Sequence, residues 1–255
     1  MPDGGVLVSD SSEVCEFIIT VGCECYSSLE LVGHALAQLP NFNGNLAWDV
    51  PCTPDPTKGV SDAELVLIVS DQASLQMAID RWSTYKKLKQ ASILIYLQGD
   101  EDVSAEEIPG LILPRSQLAA GFSTLTKALF TPVIPQGLIC IDWADTRHIL
   151  VMDGQMVMEE ATGSELETVI DAAVTRLRKR ASGRFIQGLQ ASILCSKNKL
   201  AIRHVHRLNS ACKLVTNEEA ILIIGAPFLD WADADYYEVR IAARIACPPG
   251  LNTRS

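Results

Sequence analysis

Gly137-Leu138-Ile139-Cys140-Ile141-Asp142-Trp143-Ala144-Asp145 sets two carboxylates three residues apart between apolar runs. An acid in such a run costs free energy unless it is paired, hydrogen-bonded or displayed at a surface. Two readings follow. In one, a strand ends in a turn and one acid caps the next helix, a common use of Asp. In the other, the loop presents Asp142 and Asp145 to a partner.

The chain around this stretch has 255 residues, 48% hydrophobic and 20% charged. That suits a soluble globular protein of one large or two small domains. A net charge of −10 argues against nucleic acid and against anionic membrane as partners. No run of 18 uncharged apolar residues occurs, so no membrane span is expected. Met1 to Glu13 has acids and no basic cluster, unlike a signal peptide, and the protein is expected in the cytoplasm. Cysteines stand at 15, 23, 25, 52, 140, 195, 212 and 247. Only Cys23 and Cys25 are close, so no metal site is expected and the thiols read as small buried hydrophobes in a reducing compartment.

The first 14 residues read as flexible. Glu16–Val21 is an apolar, β-branched run and predicts a strand. A turn at Gly22-Cys23-Glu24-Cys25 and a helix with Leu29, Val32, Leu36 and Leu39 at helical spacing follow. Leu46–Val50, Ala63–Val69, Ser92–Leu97 and Leu111–Leu113 predict further strands, the third buried and parallel by composition. Ser70 or Asp71 predicts an N-cap for a helix to about Lys89. Pro51–Gly59 and the acidic run Gly99–Glu107 predict loops. Ser116–Phe130 has Leu118, Phe122, Leu125 and Leu129 on one helical face.

Beyond Gly137, Ile149–Met152 predicts a strand. Ser164 and Glu167 predict a capping box for a helix carrying Val169, Ile170, Ala173 and Leu177. Its basic end, Arg176 to Arg180, suits the helix dipole. Ala191–Ser196 and Lys199–Val205 predict strands, which would put His204 and His206 on one strand face. Asn209–Thr216 predicts a short helix capped by Asn209 or Ser210, and Ile221–Ala226 with Tyr237–Ile245 predicts a closing hairpin.

The 137–145 stretch resembles the synergy loop of the FtsZ branch of the tubulin superfamily, G-x-I-N-x-D-F-A-D. Gly137, Ile139, Asp142, Ala144 and Asp145 match; Trp143 stands for Phe, and Cys140 replaces Asn. Arg147 and then Asp153-Gly154-Gln155-Met156-Val157-Met158 look like the segment that follows in the family, N-G-G-M-A-M. The resemblance runs from about Glu16 to Ala246 and is strongest from Gly137 onward. It implies an α/β fold with a Rossmann-like parallel-sheet domain at 15–115, a central helix and linker at 116–136, an α+β domain at 137–247 and a short tail at 248–255. In that family the loop's acids reach a neighbouring subunit and polarise the water that attacks its GTP.

The same resemblance implies a worn nucleotide site. The family's first phosphate loop is glycine-rich; here only Gly22 survives, beside Cys23, Glu24 and Cys25. Glycines let backbone N–H groups approach phosphate closely, and Glu24 adds like charge. At ~6 Å and an effective dielectric of ~20, each like-charge pair costs roughly 3 kcal/mol, against about 8 kcal/mol for micromolar binding. The second loop, G-G-G-T-G-T-G in the family, is Ser70-Asp71-Gln72-Ala73-Ser74 here. Of the family's guanine-contacting F-x-x-x-D, Phe122 matches the Phe but Thr126 takes the Asp position; Phe122 among apolar neighbours reads as core.

Three functions follow from the resemblance. The chain is an FtsZ-like subunit with impaired or absent GTP binding, acting without a cofactor through Gly137, Cys140, Asp142, Trp143, Asp145 and Arg147 on itself or on a conventional FtsZ. Asp142 and Asp145 would then position water in trans. Or it is a GTP-dependent polymerising GTPase with altered loops, or a scaffold on the same fold.

Overall fold

The computed structural model describes residues 17–23, 26–37, 46–49, 63–99, 108–134, 137–196, 198–228 and 236–247. They form two compact units, Met1–Ser123 and Thr124–Ser255. Among the described residues no helix is long and apolar enough to cross a membrane. Glu24 and Cys25, the Pro51–Gly59 loop, most of the acidic run after Gly99 and the tail at 248–255 lie outside the described residues.

The first unit is built on strands β1 (Phe17–Cys23), β2 (Leu46–Asp49), β3 (Leu65–Ser70), β4 (Ser92–Gln98) and β5 (Gly110–Pro114). They lie in the order β2-β1-β3-β4-β5, all parallel. β3 is buried along its whole length and β4 up to Leu97, as strands covered on both faces must be. Helices α1 (Tyr26–Leu36) and α2 (Leu75–Lys87) connect them, and α2 buries Ala78, Trp82 and Tyr85. β1 runs further than its apolar run suggests: Gly22 pairs with Ile68 and Cys23 with Val69, so both lie in the strand and not in a turn. A 3-10 turn (Arg115–Gln117) leads into α3 (Leu118–Phe130), in which Phe122 and Thr126 are both buried.

The second unit contains β6 (Gly137–Ile139), α4 (Trp143–Leu150), β7 (Gln155–Gly163), α5 (Leu166–Ala181), β8 (Ile186–Leu194), α6 (Ile202–Lys213), β9 (Ile221–Pro227) and β10 (Tyr237–Ile245). Its strands lie in the order β7-β10-β8-β9-β6. β10 is antiparallel to both β7 and β8, and β9 is parallel to β8, so β9 and β10 make no hairpin. Val239, Ile241, Ala243 and Ile245 of β10 pack with Val169, Ile170, Ala173 and Leu177 of α5. The alternate positions Glu238, Arg240 and Arg244 look solvent-facing in sequence but are buried. Arg240 pairs with Glu238 and donates to Thr131 Oγ1 at 2.9 Å, which offsets the cost of burying the charge.

Three further expectations fail for local reasons. Ile149 and Leu150 end α4 and are not strand residues. Ser164 and Glu167 make no capping box: Glu165 is the N-cap of α5 and no side chain caps it. Lys199–Val205 is not a strand either. α6 starts at Ile202 because Val205, Leu208, Ala211 and Cys212 form one buried helical stripe. His204 and His206 therefore diverge around a helix and share no face, and Asn209 lies inside that helix. The Ala201 N–H donates to His204 Nδ1 at 3.3 Å, a local cap that alternation along a strand cannot reveal.

Candidate functional site

The 137–145 stretch is a short edge strand followed by a helix start. β6 pairs antiparallel with β9, Gly137 opposite Pro227 and Ile139 opposite Ala226. Cys140 is exposed, while Ile141 turns inward and donates its N–H to the Pro132 carbonyl at 3.1 Å. Gly225 makes room for it: a Cβ there would lie 2.8 Å from Ile141 Cδ1.

Asp142 is the N-cap of α4, with φ −75 and ψ 144, and its Oδ1 accepts the Ala144 N–H at 3.0 Å. Its carbonyl accepts the N–H groups of Asp145 and Thr146. Capping and display thus coincide, because both Asp142 and Asp145 are exposed. Their charges sit at the positive end of the helix dipole, where anions are favoured.

The rest of α4 is held against the unit. Trp143 stacks on Phe130, with ring centroids 5.3 Å apart. Thr146 is fully buried and donates to Gln190 Oε1 at 2.7 Å; Gln190 Nε2 donates to the carbonyls of Ala128 and Leu129. At the far end the buried Arg244 guanidinium donates to the carbonyls of Ile149, Leu150 and Gly154. Burial lowers its pKa to about 10, still well above neutral pH. Arg147 and His148 face solvent. Two exposed carboxylates therefore stand on a helix clamped at both ends.

The stretch between β3 and α2 is closed by its own side chains. Asp71 Oδ1 accepts the N–H groups of Ala73 (3.1 Å) and Ser74 (3.2 Å) and the Ser74 hydroxyl (3.0 Å). Asp71 Oδ2 pairs with Arg115 Nη2 at 3.2 Å. Ser70 is buried, with its Oγ 3.1 Å from Ser74 Oγ. Asp71 therefore ties down the turn before α2, and Ser74 is the N-cap without a side-chain cap bond. Its charge is balanced by Arg115, where the sequence suggests an unopposed repulsive charge. Thr126 is buried, as is Phe122, whose core reading fits.

Sequence reasoning missed Arg115, Gln190 and Arg244. Arg115 carried one signal, a lone cation at the end of a β-strand before a helix. Gln190 and Arg244 carried a weaker one, polar residues in otherwise apolar strands, which read as solvent-facing until α4 and the carbonyls of Ala128 and Leu129 are seen packed against them.

A mixed α/β architecture with a parallel-sheet unit and a mixed-sheet unit is the class these elements define. Among solved structures, the chain is similar to a point mutant of FtsZ from M. jannaschii, with a TM-score of 0.60 at 11% identity over 90% of this chain and 91% of that one. It is similar to an empty FtsZ dimer from the same organism (0.58, 10%, 91% and 89%). It is also similar to GDP-bound monomeric CetZ1 from Haloferax volcanii (0.58, 10%, 92% and 96%). No family model matches the sequence, and no curated protein does. The chain has a divergent tubulin/FtsZ-like fold.

Proposed function

We propose that this chain is an FtsZ-like cytoskeletal or cell-division subunit that associates through its Gly137–Asp145 face and binds GTP weakly or not at all. The observation that carries this reading is a contrast. Asp142 and Asp145 are displayed on a clamped helix, while the amides of Ala73 and Ser74 are already taken by Asp71. Amides committed to a carboxylate are not offered to phosphate. Such a subunit modulates a conventional FtsZ or assembles without nucleotide. In the first case Asp142 and Asp145 position water at the neighbour's γ-phosphate.

The test mixes the purified protein with a conventional FtsZ and follows GTP turnover and sedimentation, alongside titration with a fluorescent GTP analogue. Altered turnover that Asp142→Asn with Asp145→Asn abolishes, and no saturable micromolar GTP binding, is the expected result. Saturable binding, with guanine nucleotide released on denaturation, favours a GTP-dependent polymerising GTPase instead. One observation supports that second reading: Arg115 neutralises Asp71, which lowers the repulsion a triphosphate would meet.

A further inference from the structure

Phe185 and Leu214 are the two most exposed large apolar side chains described in the second unit, at 69% and 83%. Both line one recess of about 470 Å³, with Arg178, Arg184 and Val215 also on its walls. The recess lies where α5 and α6 end and β8 begins. Gly183 is on the same wall, and a Cβ added there would meet nothing within 4 Å, so the recess is open at that point. Single exposed apolar residues are ordinary on a surface, but two on one recess offer a seat for an apolar group.

The charge around this seat is uncancelled. Three other arginines of the unit meet carboxylates: Arg180 pairs with Glu159, Arg207 with Glu167 and Asp171, and Arg240 with Glu238. Among the described residues no carboxylate pairs with Arg178 or Arg184, nor with Lys179 or Lys213, which flank the walls in sequence and are exposed. Arg184 is fixed, donating to the Ala181 and Arg180 carbonyls and, at 2.8 Å, to Gln155 Oε1. All three acceptors are neutral, so its charge is held in place and not offset. Each helix end carries roughly half a negative charge, which the four cations outweigh. In a chain of net charge −10, an apolar recess with a basic rim stands apart. On the other side of Phe185, a second recess has Asp153 and Glu219 on its walls. That placement decides between two anionic partners. A flat anionic bilayer laid on Phe185 would also meet Asp153 and Glu219, which repel it. A single extended segment can lie along the basic side alone, and the planar guanidinium forks of Arg178 and Arg184 suit its carboxylates.

We propose that the recess between Arg178, Phe185 and Leu214 docks an acidic linear segment of a partner protein. One large apolar side chain of the segment sits against Phe185 and Leu214, and carboxylates on either side of it pair with Arg178, Arg184 and Lys213. A buried apolar anchor inside a polar rim is the arrangement that concentrates binding energy in a small contact. The recess is at the start of β9, where Gly188 pairs with Ile221; the Gly137–Asp145 face is at its end, where Gly137 pairs with Pro227. The length of β9 puts about 20 Å between them. The two surfaces can be occupied together, and this inference does not rest on the function proposed for the other.

The test is fluorescence anisotropy on the full chain at low salt, with a fluorescein-labelled peptide that carries one Phe between two pairs of Asp or Glu. Two double variants probe the two halves of the site: Arg178→Glu with Lys213→Glu reverses the rim, and Phe185→Ser with Leu214→Ser removes the seat. All four positions are exposed, and circular dichroism checks that each variant folds. The parent is expected to bind the peptide saturably, and each variant at least tenfold more weakly. Replacing the peptide's Phe by Ser, or its acids by their amides, should cost the parent a similar factor. The rim variant should instead take up a peptide with Lys in place of the acids, which mere loss of structure cannot produce. Asp142→Asn with Asp145→Asn should leave binding unchanged, which separates this site from the proposed functional face. A parent that ignores the peptide overturns the proposal, as does binding that survives either variant. So does a parent that sediments with phosphatidylglycerol–phosphatidylcholine vesicles in preference to the peptide, which would give the recess to a membrane. Self-association in sedimentation velocity that the same variants abolish and the peptide does not compete away would give it to a second copy, and overturns the proposal equally.

Discussion

Asp142 accepts the Ala144 N–H and also exposes a carboxylate, and substitution can separate the two roles. Asp142→Ala removes both and should cost about 1 kcal/mol in chemical denaturation, the usual worth of an N-cap. Asp142→Asn keeps the acceptor and should retain most of that stability while weakening association through this face. Equal loss of association in Asn and Ala variants, with only Ala destabilised, would place the function in the charge. Arg244 presents the opposite situation. Arg244→Met removes a donor from three buried carbonyls, of which Ile149 keeps the Met152 N–H, and should destabilise by roughly 2 kcal/mol or more, since buried acceptors lose a partner. A loss under 1 kcal/mol in urea unfolding would mean that water takes over those carbonyls.

Two elements depend on a single local feature. Gly154 joins α4 to β7 at φ +107, and a Cβ there would meet the Ile245 carbonyl oxygen. Gly154→Ala should therefore destabilise by about 1–3 kcal/mol through strain and clash, read from the denaturation midpoint. At the start of α6, His204 accepts the Ala201 N–H through Nδ1, which only a neutral imidazole can do. Burial, then the nearby Arg203, lowers its pKa, while Glu167 opposes them; the Lys199 ammonium and Tyr237 also face this pocket. For a base with a depressed folded pKa, the stabilising contribution is present above the unfolded value of about 6.5 and is lost as pH falls through the folded value. Stability should thus fall on acidification below about pH 6.5, and His204→Ala should flatten that part of the profile. A slope unchanged in the variant would assign it to other groups.

Across the whole molecule, thiol chemistry offers a readout of association. Cys140 is exposed on the 137–145 face, whereas Cys195 and Cys212 are buried, and burial pushes their thiols up to about 11 and about 12. Thiolate, not thiol, reacts. Cys140 should label at pH 8 in the native protein, with Cys140→Ser as the control, while Cys195 and Cys212 label only on unfolding. If subunits associate through this face, adding a conventional FtsZ should slow Cys140 labelling several-fold. Unchanged labelling alongside cosedimentation would move the contact to another surface.

Much of this architecture was legible in the chain before folding. Ser92–Leu97 announced a doubly covered strand, Val169 to Leu177 an amphipathic helix, and Asp142 a cap beside a short strand, because each rests on local periodicity or local hydrogen bonding. What escaped was decided by non-local packing. Arg240 and Arg244 are polar yet interior because Thr131 and the end of α4 pack over that face of β10 and supply the acceptors for their guanidinium groups. Asp71 looked like repulsive charge until Arg115, 44 residues on, came within 3.2 Å. His204 and His206 parted because a buried helical stripe outweighed a local alternation. Short-range patterns name elements; which charges are neutralised, which carbonyls are met and which faces stay open depend on residues that only folding brings together.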